Sequence, residues 1–567
     1  MYLRQMNEEE TQILHDVSRD ALMEYTRGVS RWVRISSLQE EVDSLKYLKG
    51  LLDSFGYHTE MPEYMGYISY PVKAFVTIES PVERAFKGIS ACFTPSTPIG
   101  GIVAEAADCT EADYRGKVVL MDGLANAVKI KEAEKKGAVA VLFLHDRNIH
   151  NGPASDIWGN PTQSRLDTLP AVPVVSITKP DGTEIRRLLK EGHVKVRVES
   201  TVVNEWRKCP LLIADLECPK SDKYILFSGH IDSWDYGAMD NGSANATMIE
   251  CARLMAQRKD KLARGLRIAF WSGHSQGKYA GSAWYADHHF EDLRDHCAAH
   301  LNIDSVGGEN AVVVEEPPVM AQVWDLAKDV IEGQTGAAFS GKRMARNADQ
   351  SFFGVGITSI FGTFSEQDIS TVGDSLSFRY GEGSRAGGLG WWWHTEHDTI
   401  DKISPELLVR DCRLYAAVLW RLLTAPALPF VIGRAVEEMK QTVERLQDKL
   451  VGTFDFAPLQ KRLDEIAGKA ADFDALCRAA AEPGEEAEAL VERQMKLCRN
   501  IVRLVYHEND VYDFDLCGPL YPLPNLECGE RLAASMEGSS RYYLYLTQLQ
   551  KGYNRVMEYC GQILELL

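Results

Sequence analysis

The sequence predicts a multidomain α/β protein. Its centre is a mostly parallel mixed sheet sandwiched by helices, with a β-rich insert before the main strands and a helical tail after them. Three observations carry this. Between 206 and 426, apolar runs alternate with helical patterns: YILFSGHID, a helix near 242–258, then LRIAFWSGH and HLNIDSVG. Such alternation reads as buried parallel strands covered by helices. From 60 to 205 the runs are short and β-rich (AFVTIES, KVVLMDG, AVAVLFLHD, AVPVVSI and VKVRVES), separated by Gly, Pro and Asp turns. From 427 to 567 the pattern is that of long helices, set off by Pro426 and Pro429. A chain of 567 residues exceeds the roughly 250–300 residues at which a single core stops growing.

Residues 1–59 complete the central domain as helices. Ile13, Leu14, Val17 and Leu22, then Val42, Leu45, Leu48, Leu51 and Leu52, recur on helical faces, and Gly56 follows as a C-cap. One irregular stretch, 365–390, is rich in Gly and Ser. A loop of that length inside a domain is usually functional or disordered.

A net charge of −19 excludes a nucleic-acid binder, which needs a basic surface. The start, MYLRQMNEEETQ, has neither a basic nor an apolar signal region. No apolar run approaches the roughly 20 residues that span a bilayer. Twelve cysteines lie scattered from Cys92 to Cys560 without a CxxC pair. The expectation is a cytoplasmic protein with free thiols and no membrane partner.

The chemistry collects at strand ends. In GHIDSWDYGAMDNGSANA, His230 ends an apolar strand and Asp232 follows on the same face, where its carboxylate could brace the imidazole. Asp240 sits in a Gly-flanked turn before a helix, where it could bridge two cations or simply cap the helix. Asp304 ends the apolar strand of LNIDS, an expensive place for a carboxylate without a partner. In WWWHTEHDTIDKI, His394 follows three tryptophans. Alone it reads as a structural or surface histidine, but with His230, Asp240 and Asp304 it completes a nitrogen and oxygen donor set that suits zinc. Trp393 offers a flat wall to a substrate or core packing. Arg379 and Arg385 offer bidentate contacts to a substrate carboxylate, or solvated loop charge.

The ordered series GHIDSW…GAMDNGS, AFWSGHSQG…GS, NIDS, NADQSFF and HTEHDT resembles the co-catalytic zinc aminopeptidases and carboxypeptidases. That family includes bacterial leucyl aminopeptidases, glutamate carboxypeptidase and the inactive transferrin receptor. The resemblance implies the zinc-aminopeptidase fold, with a protease-associated domain over 60–205 and a dimerisation domain over 427–567. It also implies one or two zinc ions: the first on His230, Asp240 and Asp304, the second sharing Asp240 and taking His394. The family's Glu-Glu pair, base and then ligand, is missing. Aligning Phe270-Trp271 and Gly277 puts His274 and Ser275 there, the preferred register; aligning Gly281-Ser282 puts Ser275 and Gln276 there. His274 is therefore expected as general base or as metal ligand. The implied activity is hydrolysis of an amide or peptide-like bond in a small substrate by an exopeptidase-type homodimer. The alternatives are a mono-metal enzyme of different acyl or C–N chemistry, as in the glutaminyl cyclases, and a non-catalytic interaction protein like the transferrin receptor.

Overall fold

A computed structural model describes residues 8–145, 147–367, 389–518 and 520–567. The central sheet has eight strands. From one edge they run His58–Glu60, Leu212–Leu216, Gly265–Trp271, Tyr224–His230, Cys297–Asn302, Ser359–Ile360, Pro318–Val319 and Lys342–Arg343. The middle of the sheet is parallel: Phe227 of Tyr224–His230 pairs with Ile268 on one side and Leu301 on the other. All seven residues of Tyr224–His230 are buried, as a strand covered on both faces must be. Its side chains alternate between two cores. Ile225 and Phe227 join the core under the helices Arg19–Val29, Ala244–Ala256 and Pro405–Thr424, while Tyr224 and Leu226 join the opposite one with Trp271 and Tyr285.

The N-terminal helices are Glu8–His15, Arg19–Val29 and Gln39–Ser54. Ser18 caps the second by accepting the Ala21 N–H, and Gly56 follows the third at φ +89°, a conformation a side chain would disfavour.

The insert is a second eight-stranded sheet. Two long antiparallel strands, Glu63–Ser80 and Lys195–Pro210, run together from Glu63 opposite Pro210 to Ser80 opposite Lys195. The sequence pattern shows only AFVTIES of the first strand. Pro71 has no N–H for the ladder, and the register shifts between Pro71 and Lys73, so the strand continues across a residue that normally argues against one. Ile102–Asp108, Lys117–Asp122, Ala140–His145 and Val174–Thr178 form the parallel part.

The tail is helical, with Ile432–Lys449, Ala457–Ala479, Glu485–Val505 and Ser540–Leu566 as its long members. Ile432, Ala435, Val436, Met439, Val443 and Leu446 make a buried stripe at helical spacing. The tail's core is continuous with that of the central sheet. All twelve cysteines are unpaired, ten of them buried. Among the described residues, no helix is long and apolar enough to cross a membrane.

Candidate metal centre

Parallel strands end at one edge of a sheet, and there the loops bring the polar residues together. His230 is the last residue of its strand, Asp304 lies two residues past Cys297–Asn302, and His274 lies three past Gly265–Trp271. Asp240 comes from the turn leading into the helix Ala244–Ala256. Two asparagines lock that turn to the strand ends. Asn241 Nδ2 donates to the carbonyls of His230 (3.2 Å) and Ile303 (3.3 Å), and its Oδ1 accepts the Ser305 N–H (3.0 Å). Asn245 Nδ2 donates to the same His230 carbonyl at 2.7 Å. Asp398, from HTEHDT, accepts the N–H groups of Met239 (2.9 Å) and Asp240 (3.0 Å). Arg34, fully buried, donates to the carbonyls of Ile231, Tyr236 and Gly237 and so ties the N-terminal segment to the same loop. The sequence reading assigned no role to Arg34, Asn241 or Asn245.

The imidazoles are set for metal binding. Nδ1 of His230 donates to the Asp232 carbonyl at 2.9 Å, and Nδ1 of His394 donates to the Asn151 carbonyl at 2.8 Å. A carbonyl only accepts, so both rings carry a proton on Nδ1 and turn Nε2 inward, where it can bind a metal in place of a second proton. His230 Nε2 lies 2.9 Å from Asp240 Oδ1 and 3.7 Å from Asp304 Oδ1, and His394 Nε2 lies 3.0 Å from Asp240 Oδ2. Asp240 thus stands between the two histidines, one oxygen toward each. His230 Nε2 and Asp240 Oδ1 are buried and, close as they are, make no aligned hydrogen bond. Converging buried lone pairs of this kind fit a cation between them. Burial opposes charge on both groups. The pairing wins: Asp240 is held well below the usual carboxylate range by His230 and His394, and His230 is raised well above an ordinary imidazole by Asp240 and Asp304. A metal entering here competes with protons for the same lone pairs.

His274 joins this cluster. Its ring stacks on His230 at 3.8 Å between centroids, and ligand atoms of His230, His274 and Asp304 all lie within 4.8 Å of one another. Its Nδ1 meets Asp349 Oδ2 at 3.0 Å, while Asp349 Oδ1 accepts the Ser282 hydroxyl at 2.8 Å. Burial pushes the Asp349 carboxyl up, but His274 and Ser282 outweigh it and hold it below its ordinary value. Asp349 was visible in NADQSFF as part of a motif, without a role. Asp232 differs from expectation. Its carboxylate is 3.8 Å from His230 Nδ1, and the brace is its backbone carbonyl. The carboxylate accepts the N–H groups of His274 (3.1 Å) and Ser275 (2.6 Å) instead, fixing the turn that carries His274. The i, i+2 spacing placed Asp232 correctly beside His230 but could not show that the strand ends there and the chain turns. The Ser275 hydroxyl is buried without a hydrogen bond.

A cavity of about 790 Å³ opens over these residues and reaches the insert, with Asn126, His145, Asn151, Lys278 and Trp393 among its walls. Trp393 stacks on His394 at 3.5 Å, so it both lines the cavity and backs the imidazole. Trp392 is buried and Trp391 is 40% exposed. Arg379 and Arg385 lie outside the described residues.

The model of peptidase family M28 matches residues 212–419, and that of the PA domain matches 89–185. Residues 212–419 are an M28 peptidase domain. Aminopeptidase YwaD of Bacillus subtilis is 26% identical over 341 residues, covering 58% of this chain and 67% of its own. Probable glutamate carboxypeptidase AMP1 of Arabidopsis thaliana is 22% identical, covering 56% of this chain and 55% of its own. Carboxypeptidase Q of Mus musculus is 27% identical, covering 34% and 45%. The chain therefore spans between about half and two thirds of the length of these relatives. The M28 fold is shared with a solved zinc aminopeptidase from Bacillus subtilis at a TM-score of 0.57 and 20% identity, covering 73% of this chain and 97% of that one.

Proposed function

We propose that this M28 chain is a metal-dependent hydrolase of the exopeptidase type, cleaving an amide or peptide bond in a small substrate, with His274 as its proton acceptor. One observation carries the reading: His274 is anchored through Nδ1 on the ionised Asp349 carboxylate, beside the ligand atoms of His230 and Asp304. His230, Asp240 and Asp304 would hold one zinc, and Asp240 with His394 would contribute to a second. When bound, zinc supplies Lewis acidity to a carbonyl oxygen and makes water nucleophilic near neutral pH. The residues do the rest. Asp349 fixes the tautomer of His274, so its Nε2 takes the proton of the attacking water and returns it to the leaving amine. The cavity holds the substrate against this edge, Trp393 offering a flat wall.

A second reading makes His274 a metal ligand, favoured by the 4.8 Å grouping with His230 and Asp304. Metal content decides between them. In His274→Ala, a base role leaves the metal bound and lowers the rate by about 100- to 10,000-fold. A ligand role loses metal first, and added zinc partly restores turnover. A variant with full metal and full turnover overturns both. A purely binding role is disfavoured by the buried, tautomer-locked donor set, which interaction alone does not require.

The homodimer belongs to this proposal. Tyr543 and Leu544, at the start of the last helix, and Met536, just before it, are 57%, 67% and 78% exposed, apolar side chains available to a second copy. Twelve unpaired cysteines support a reducing, cytoplasmic compartment.

A further inference from the structure

Four residues past His274, the turn between the strand Gly265–Trp271 and the helix Ala280–His288 does something a simple connection does not require. Lys278 and Tyr279 both adopt left-handed backbone conformations, at φ +52° and +69°. Neither is glycine, and consecutive bulky residues in this region are sterically disfavoured unless the surroundings hold them there. The turn places Lys278 in the wall of the cavity that contains Asp240, His274 and Asp304. Lys278 is only 7% exposed. Its carbonyl accepts the Gly159 N–H at 2.6 Å, which anchors the backbone. Its ammonium makes no hydrogen bond or ion pair with any described residue. The Tyr279 ring, 5.0 Å away, gives it partial cover, and Asp156 feels its charge without pairing with it. Without a direct ion pair, the ammonium presents a positive charge to the cavity, which an incoming anion can neutralise.

His145 also lines this cavity, from the insert. His145 is 1% exposed, and its Nδ1 accepts the His150 N–H at 3.0 Å. Its proton is therefore on Nε2, which has no partner among the described residues. Burial keeps the ring neutral, its pKa pushed down to about 3. The cavity thus carries a fixed cation in the same wall as Asp240, His274 and Asp304.

We propose that Lys278 is a specificity residue that binds a substrate carboxylate close to the scissile bond, so that the preferred substrates are short peptides or acyl amino acids bearing a free carboxylate. The inference rests on the hydrolase reading for the word substrate, but the binding it describes can be measured without turnover. The carboxylate can come from a free C-terminus or from an acidic side chain. Three non-hydrolysable probes separate these sources: the reduced-amide dipeptide Leuψ[CH2NH]Leu, its C-terminal amide, and Leuψ[CH2NH]Glu-NH2.

Calorimetry on the zinc-loaded protein should show at least one carboxylate probe binding about tenfold or more tighter than the Leu amide, roughly 1.4 kcal/mol. Preference for the first probe assigns the C-terminal carboxylate; preference for the third assigns the side chain. K278M and K278Q should each bring that ratio close to one, while K278R keeps most of it. Equal binding of all three probes by the unaltered protein overturns the proposal, as does a preference that survives in K278M or K278Q. If the protein hydrolyses no amide yet shows the Lys278-dependent preference, the hydrolase reading fails and the anion site stands.

Discussion

At the residue scale, Asp240 is the hinge of the centre. One oxygen faces His230 at 2.9 Å and the other faces His394 at 3.0 Å, so its loss removes a donor from both halves at once. Asp240→Ala is expected to lose more metal than His394→Ala, measured by elemental analysis after dialysis. Equal retention in the two variants would remove Asp240 from the bridging role. Because His230 is raised well above its ordinary value by Asp240 and Asp304, protons compete with metal. Apparent zinc affinity should therefore fall as pH is lowered, with proton release on binding. A titration in two buffers of different ionisation enthalpy measures that release; none at all would contradict the assignment. Asp349→Asn keeps the shape beside His274 but removes the charge. It should lower the rate by about tenfold or more, the usual cost of losing an outer partner of a site histidine, with zinc content retained if His274 is the base.

The strand ends were legible in the sequence because chemistry at the end of an apolar run is conspicuous: His230 after YILFSG, Asp304 after HLNI. Arg34, Asp349 and Lys278 were not, for a physical reason. Arg34 and Asp349 each act across a sequence separation of many residues, on a partner that only the folded sheet brings near, and Lys278 is marked only by the cavity wall it joins. Asp349 lies 75 residues from the His274 it anchors. Asp232 was found but given the wrong atom, since spacing shows which residues are near and not which end of a residue makes the contact.

At the scale of elements, the strands carry ionisation as well as geometry. His300, on Cys297–Asn302, is fully buried between Ser228 (2.8 Å) and Ser359 (3.3 Å). Burial pushes its pKa down to about 3. The unfolded chain, with an ordinary histidine near 6.5, therefore binds a proton more readily than the folded one. Stability from this neutral ring is present above about 6.5 and is lost as pH falls toward 3, by at most about 5 kcal/mol over that window. His300→Gln should flatten the fall of melting temperature between pH 6.5 and 4. A slope identical to that of the unaltered protein would show that other groups govern it. The strand Glu63–Ser80 shows a second limit of sequence patterns: Pro71 hides its first half, yet the ladder to Lys195–Pro210 simply shifts register there and resumes.

At the scale of the whole molecule, the M28 domain supplies the donors, the insert supplies a wall of the cavity, and the tail extends the core of the sheet. The tail's packing on its own central domain satisfies its apolar stripe without a partner. What remains for a second copy is the exposed apolar side chains of Met536, Tyr543 and Leu544. Light scattering at micromolar concentration should give twice the chain mass, and Leu544→Asp should shift it toward one; a monomer throughout would contradict the dimer. The central claim is metal-dependent hydrolysis at the His230, Asp240 and Asp304 edge. The most direct measurement is release of free amino acids from a dipeptide panel before chelation, after chelation, and after zinc is returned. Turnover should be present, disappear and return, and the return should fail in Asp240→Ala. Turnover that survives complete metal removal, or none with zinc bound across the panel, would contradict it.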